Sequence, residues 1–173
     1  MSRFNDAFEI IIGHEGGYTD DPRDRGNWDS GVIGKGTCKG TKYGIAAHAY
    51  PNLDIRNLTL EDARRIYRTN YWDALGADNL PDPLALVAFD TAVNSGVGRA
   101  RQFLAQTQDW RRFLDLRLAF LKSLDTWPTF GRGWQKRVDT LRQQAAQWEA
   151  QAAPPRVLLV PQGGGEPVPW DGQ

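Results

Sequence analysis

Between Asp82 and Val93 the chain reads Asp-Pro-Leu-Ala-Leu-Val-Ala-Phe-Asp-Thr-Ala-Val, and no other segment constrains the fold as strongly. As a helix, Leu84, Leu86, Val87, Ala88, Phe89, Ala92 and Val93 make it apolar nearly all round. Such a helix is stable in water only when other elements cover it on every side. Asp82-Pro83 marks its cap and first turn, and Asn94-Ser95-Gly96 its end. The rest of the chain must therefore supply amphipathic helices to enclose it.

Those helices are legible. Phe4, Phe8, Ile11 and Ile12 recur at one-face helical spacing, with Gly16-Gly17 as a stop, so the first helix is expected to end near residue 15. Glu15 follows Phe8, Ile11 and Ile12 at seven, four and three residues and falls on the same inward stripe. From Tyr18 to about Lys42 the chain is rich in Gly, Asp, Asn and Lys, the composition of a long loop with turns or a short hairpin. A short helix is expected over 44–49, stopped by Pro51. Another is expected over 60–72, behind Thr59 as N-cap with Asp62 three residues on, burying Ala63, Ile66, Tyr67 and Tyr71. Further helices are expected over 98–106, 110–124 and 133–150, the last with Trp134, Val138, Leu141, Ala145 and Trp148 on one stripe. The expected class is all-α, mainly helical, with a small irregular β-hairpin or loop region after the first helix.

Length and composition suit a folded chain. Its 173 residues are 40% hydrophobic and 24% charged, enough for one shared core with at most a small appendage. Lys and Arg number 21 and Asp and Glu 21, so no global charge draws the chain to nucleic acid. The charge is uneven, with 10 basic and 14 acidic side chains in 1–96 against 10 and 5 in 97–150. A solvated helix surface explains that asymmetry, and a basic face also suits an anionic cell wall. Cys38 is the only cysteine, which excludes an internal disulfide. The opening residues lack a continuous apolar stretch, and no run approaches the roughly 20 apolar residues that span a bilayer. The expectation is synthesis in the cytoplasm without a signal peptide or stable membrane insertion. Residues 154–173, with Pro-Pro, Gly-Gly-Gly and Pro-Val-Pro, read as a flexible tail.

Glycoside hydrolysis uses two carboxyl groups in unlike surroundings, one protonated to donate to the leaving oxygen and one ionised. A glutamate on an apolar helix face loses hydration in its charged form, so Glu15 suits the donor role. Asp20, Asp21 and Asp24 follow on a polar loop within reach of it, although ordinary turn chemistry accounts for them equally well. Trp28 in the same loop can stack on a sugar face or anchor the loop. His14 and His48 form no metal-ligand spacing, and nucleophile, phosphate-loop and dinucleotide motifs are absent; neither metal nor cofactor is expected.

Glu15-Gly16-Gly17-Tyr18, Asp21-Pro22-x-Asp24, Thr41-Lys42-Tyr43-Gly44-Ile45 and Phe89-Asp90-Thr91-Ala92-Val93-Asn94-Ser95-Gly96 together resemble glycoside hydrolase family 108, the N-acetylmuramidases marked by an EGGY motif. The resemblance extends over residues 4–150. It implies a lysozyme-like fold with a catalytic muramidase part over 1–96, and a second half, 97–153, similar to that family's predicted peptidoglycan-binding domain and packed on the same core. It also implies Glu15 as the residue required for catalysis. The Glu, Asp, Thr order is similar to lysozymes of tailed coliphages, which suggests Asp24, or failing it Asp21, as second carboxylate and Thr41 as a hydroxyl that positions water. Tyr18, Tyr43, Trp28 and Asn94 are the candidate substrate contacts; Asn94 can equally cap its helix. The sequence departs from many relatives by inserting residues 27–40 before the Thr-x-Tyr-Gly-Ile segment. The implied activity is cleavage of the β-1,4 bond between N-acetylmuramic acid and N-acetylglucosamine by a monomer, in phage or prophage lysis after holin-type passage to the wall, or in host wall remodelling. A lytic transglycosylase and a non-catalytic wall-binding virion component are the rival readings.

Overall fold

The computed structural model describes residues 3–13 and 17–152; Glu15 and the expected tail, 154–173, lie outside the described residues. The all-round apolar segment forms the central helix α3 (Asp82–Ser95), in which every residue from Pro83 to Ala92 is buried. Around it pack α1 (Phe4–Ile12), α2 (Leu60–Tyr67), α4 (Val97–Leu104), α5 (Trp110–Lys122) and α6 (Trp127–Ala152). One apolar cluster joins Phe4 and Phe8 of α1 to Phe113 and Leu121 of α5 and to Val138, Leu141 and Trp148 of α6.

Phe89 sits where several rings converge. Trp72 meets it edge-on at 5.3 Å, Tyr67 at 6.2 Å, and Phe4 at 5.8 Å in a tilted contact. Complete burial of an aromatic or branched side chain contributes roughly 1.5–3 kcal/mol, and edge-to-face pairs add about 0.5–1.5 kcal/mol. The core therefore holds most tightly around the middle of α3.

Several boundaries differ from the sequence expectation for identifiable reasons. Helix α1 stops at Ile12, because Gly13 leaves helical geometry at φ 38° while its N–H still reaches Glu9 O at 2.8 Å. The helical spacing that put Glu15 on the inward stripe thus ends three residues before it. No helix forms over 44–49; the chain instead makes a hairpin of β1 (Thr41–Lys42) and β2 (Ile45–Ala46), followed by a turn. Tyr43 at φ 52° and Gly44 at φ 74° form the two-residue loop, and both positive angles match the twist of a tight hairpin.

Helix α2 begins as expected, with the Thr59–Asp62 capping box formed. It then passes into a π-helical turn, Arg68–Trp72, and two 3-10 turns, Asp73–Leu75 and Ala77–Asn79. The buried Trp72 ring donates Nε1–H to Asp78 Oδ1 at 2.8 Å at the end of this stretch. Asp82 is not a side-chain cap: Pro81 occupies that position, and Asp82 pairs with Arg3 Nε at 3.2 Å, fastening α1 to α3. Helix α6 starts six residues earlier than its stripe suggested. Pro128 fits a first helical turn, and a side chain at the buried Gly131 would come within 2.6 Å of the Trp127 ring, so this glycine is a packing residue and not a break.

Removing the cap should be measurable on its own. Thr59→Ala should lower stability by about 1 kcal/mol, read as a reduced urea midpoint at unchanged slope.

Candidate active site

Where α1 ends, the fold leaves a cavity of about 160 Å³. Ile11 and Ile12 come from α1, Tyr43 and Gly44 from the hairpin turn, Tyr67 from α2, Asn94 from α3 and Arg137 from α6. Five separate elements thus meet within a few residues of the chain position of Glu15.

The hairpin wall is held by one hydrogen bond. Tyr67 Oη donates to the Tyr43 carbonyl at 2.8 Å, which fixes a tyrosine in left-handed backbone geometry that costs a non-glycine residue roughly 1–2 kcal/mol. A side chain on Gly44 would lie 2.5 Å from that same hydroxyl. The turn therefore needs glycine at this position both for its φ and for the approach of Tyr67. Strain retained at a cavity wall is characteristic of functional sites.

The opposite wall is organised by a carboxylate that the sequence reading did not single out. Asp90 is 2% exposed within α3. Its Oδ2 accepts from Arg117 Nη1 at 2.6 Å and from Asn94 Nδ2 at 3.2 Å, and its Oδ1 accepts from Arg137 Nη2 at 2.6 Å and Arg137 Nε at 3.0 Å. Asn94 also donates to the Asp90 carbonyl at 2.8 Å, and Arg117 donates to Thr91 Oγ1 at 3.2 Å. Burial pushes the Asp90 carboxyl upward, but the Arg117 charge and then the Arg137 hydrogen bonds and charge outweigh it, so the group sits below the usual carboxylate range. Asp90 stays ionised and holds Asn94 and Arg137 at the cavity wall.

Thr41, two residues before Tyr43 on β1, donates Oγ1–H to Asn27 Oδ1 at 2.7 Å. Asn27 is fully buried and is the internal anchor of the inserted loop. Its amide donates to the Asp21 carbonyl at 3.0 Å, and its own carbonyl accepts from Lys39 N at 2.8 Å and Gly40 N at 3.0 Å. Asp24 caps the 3-10 turn Arg25–Asn27 by accepting from Gly26 N at 2.8 Å. Both oxygens of Asp21 are taken by Arg23, whose hydrogen bonds and charge bring the Asp21 carboxyl down to about 2. Trp28 donates Nε1–H to the Pro22 carbonyl at 2.9 Å and bridges to Cys38. Tyr18 donates to the Lys39 carbonyl at 3.0 Å, lies 5.0 Å beneath Arg56, and lines a different pocket, of about 400 Å³.

The fold thus brings Tyr43 and Asn94 together at one cavity, with Thr41 on the adjoining strand. Tyr18, Asp21, Asp24 and Trp28 do not line that cavity, and Glu15 lies outside the described residues. The residues missed from sequence are Asp90 and Arg137. The available signal for Asp90 was an acid in the middle of an otherwise apolar helix; Arg137, 47 residues away, had none. Among the described residues no group of three or more His, Cys, Asp or Glu side chains is placed to hold a metal, and no helix is long and apolar enough to cross a membrane.

Two outcomes test this geometry. Asp90→Ala strands two guanidiniums, one of them buried, and should cost about 3–5 kcal/mol in chemical denaturation. Because the folded Asp90 carboxyl titrates below its unfolded value of about 3.9, its contribution is complete above that pH and is lost as pH falls through the lower folded value. Unfolding free energy of the wild type should therefore drop more steeply below about pH 4 than that of Asp90→Asn.

The family model described as Glycosyl hydrolase 108 matches residues 8–96. Among solved structures the chain is similar to Brucella abortus SagA at 30% identity, covering 87% of this chain and 98% of that one with a TM-score of 0.69. No curated protein matches the chain. The matched segment contains the end of α1 from Phe8 on, the inserted loop, the hairpin, α2 and the central helix with Asp90 and Asn94, so the chain belongs to glycosyl hydrolase family 108 and is a glycoside hydrolase.

Proposed function

We propose that the chain is a peptidoglycan hydrolase of the N-acetylmuramidase kind, cleaving the β-1,4 bond between N-acetylmuramic acid and N-acetylglucosamine with Glu15 protonating the glycosidic oxygen. The observation that carries this reading is the cavity at the end of α1. It opens three residues before Glu15 in a family 108 chain and is walled by groups able to orient an acetylated sugar. With its Nδ2 protons given to Asp90, the Asn94 amide keeps its oxygen to accept from the N–H of an acetamido group, and Tyr43 offers a ring and a hydroxyl. Apolar Ile11 and Ile12 favour the neutral form of an acid placed beside them, which suits a proton donor.

Asp24 is a better second carboxylate than Asp21. Both oxygens of Asp21 are already satisfied by Arg23, whereas only Oδ1 of Asp24 is engaged and Oδ2 has no partner among the described residues. Asp24 would stabilise the developing oxocarbenium ion or activate water. Thr41 would hold that water, since its proton is committed to Asn27 and its lone pairs remain to accept. The basic helices after residue 96 would hold the anionic glycan strand. The biological setting we propose is phage or prophage lysis after holin-type passage, or wall remodelling in the host.

One observation favours a second reading, the lytic transglycosylase. Neither Asp21 nor Asp24 lines the cavity, and a transglycosylase can work with a single Glu, closing a 1,6-anhydro ring instead of consuming water.

Digestion of purified peptidoglycan with mass spectrometry separates the two. The muramidase leaves reducing N-acetylmuramic acid ends, and anhydro ends would establish the transglycosylase. Glu15→Gln should keep the fold and lower kcat by at least about 10²-fold, and equal turnover by both proteins would remove Glu15 from the role given to it. Asp24→Asn should damage activity less completely, and Asp21→Asn least.

A further inference from the structure

We propose that the groove between α1 and α6 is a glycan-binding subsite continuous with the cleft, with Trp134 as the platform on which a sugar ring stacks. The proposal rests on the peptidoglycan reading above and adds where the strand runs and which residue grips it. At about 160 Å³ the cleft alone is smaller than the roughly 300–1,000 Å³ of ordinary ligand pockets. A second hollow of about 500 Å³ adjoins it, and Ile11, Asn94 and Arg137 line both. Trp134, Lys136 and Thr140 of α6 form the far side.

The chemistry of that side suits a carboxylated glycan. Trp134 is half-buried and packs against two rings of its own helix, Trp127 at 6.2 Å and Phe130 at 5.7 Å. Phe130 is 53% exposed and extends the aromatic surface. A β-1,4-linked pyranose has faces of C–H bonds, and these pack on the negative face of an indole while the sugar's hydroxyl edges remain wet. Lys136 is exposed beside Trp134, where its charge meets the free carboxylates of the stem peptide carried on the lactyl group. Trp134 and Lys136 both lie outside the residues matched by the family model, so α6 contributes a binding surface that the matched segment lacks.

The test uses the full chain carrying Glu15→Gln, co-sedimented with purified peptidoglycan sacculi. Adding Trp134→Ala should weaken binding about tenfold, and Trp134→Tyr should recover most of it. In the active chain, Trp134→Ala should raise KM for peptidoglycan while kcat stays near wild type, as expected for lost binding shared by ground and transition states. Unchanged Kd and KM in a folded Trp134→Ala protein would overturn the proposal, as would a fall in kcat at constant KM. A wild-type dimer that Trp134→Ala converts to monomer in sedimentation velocity would also overturn it, by assigning the surface to a second copy of the chain. If Trp134→Ala does not fold, Lys136→Glu on the exposed face serves instead, with weaker binding at low salt expected and no change counting against the subsite. Failure of the muramidase reading is seen separately, as sacculi that bind through Trp134 yet release no reducing muramic acid ends.

Discussion

A single buried carboxylate, Asp90, ties the core of this chain to its cleft. It sits in the middle of the most apolar helix and shares its two oxygens among Arg117 of α5, Arg137 of α6 and Asn94 of its own helix. Burying one carboxylate and one guanidinium costs several kcal/mol before any pairing, and replacement by well-packed apolar groups is often neutral or stabilising. The network is not fully satisfied either, since Arg117 Nε is buried without a hydrogen-bond partner among the described residues. Stability alone therefore does not account for it. What it does achieve is registration: α3, α5 and α6 can pack in only one rotational setting if all three side chains are to meet.

That setting places the cleft. With α3 and α6 fixed, Asn94 and Arg137 face Ile11 and Ile12 across the cavity, and the hairpin turn at Tyr43-Gly44 closes it through the Tyr67 hydroxyl. Tyr67 also packs on Phe89, the residue before Asp90. A change at the core end of this chain of contacts reaches the turn through two side chains.

The helices were legible because their signals are local. The all-round apolar run gave α3, the Thr59–Asp62 pair gave the start of α2, and 3.6-residue stripes gave α5 and the buried half of α6. What was hidden depends on partners distant in sequence or on unusual backbone. Tyr43 in left-handed geometry made a hairpin where composition suggested a helix, because the Tyr67 hydroxyl, 24 residues away, holds it there. Asp90 was visible as an odd acid, but the arginines that explain it lie 27 and 47 residues on. In the candidate site, Tyr43 and Asn94 were found by resemblance and do meet at the cavity. Asp21 and Asp24 were chosen by reach from Glu15 and by resemblance; what sequence did not show is that Arg23 takes both oxygens of Asp21 while Gly26 N takes only one of Asp24.

The family-matched segment ends at residue 96, directly after α3. Proteins that recombine as interchangeable modules need seams crossed by few contacts. Here the boundary runs along a helix whose buried face is shared with α4, α5 and α6, and through an ion pair between Asp90 and Arg137. An exchange of everything beyond residue 96 would bare the driest surface in the molecule and take away one wall of the cleft. Any replacement for the second half would have to reproduce the surface that covers α3 and a cation to meet Asp90.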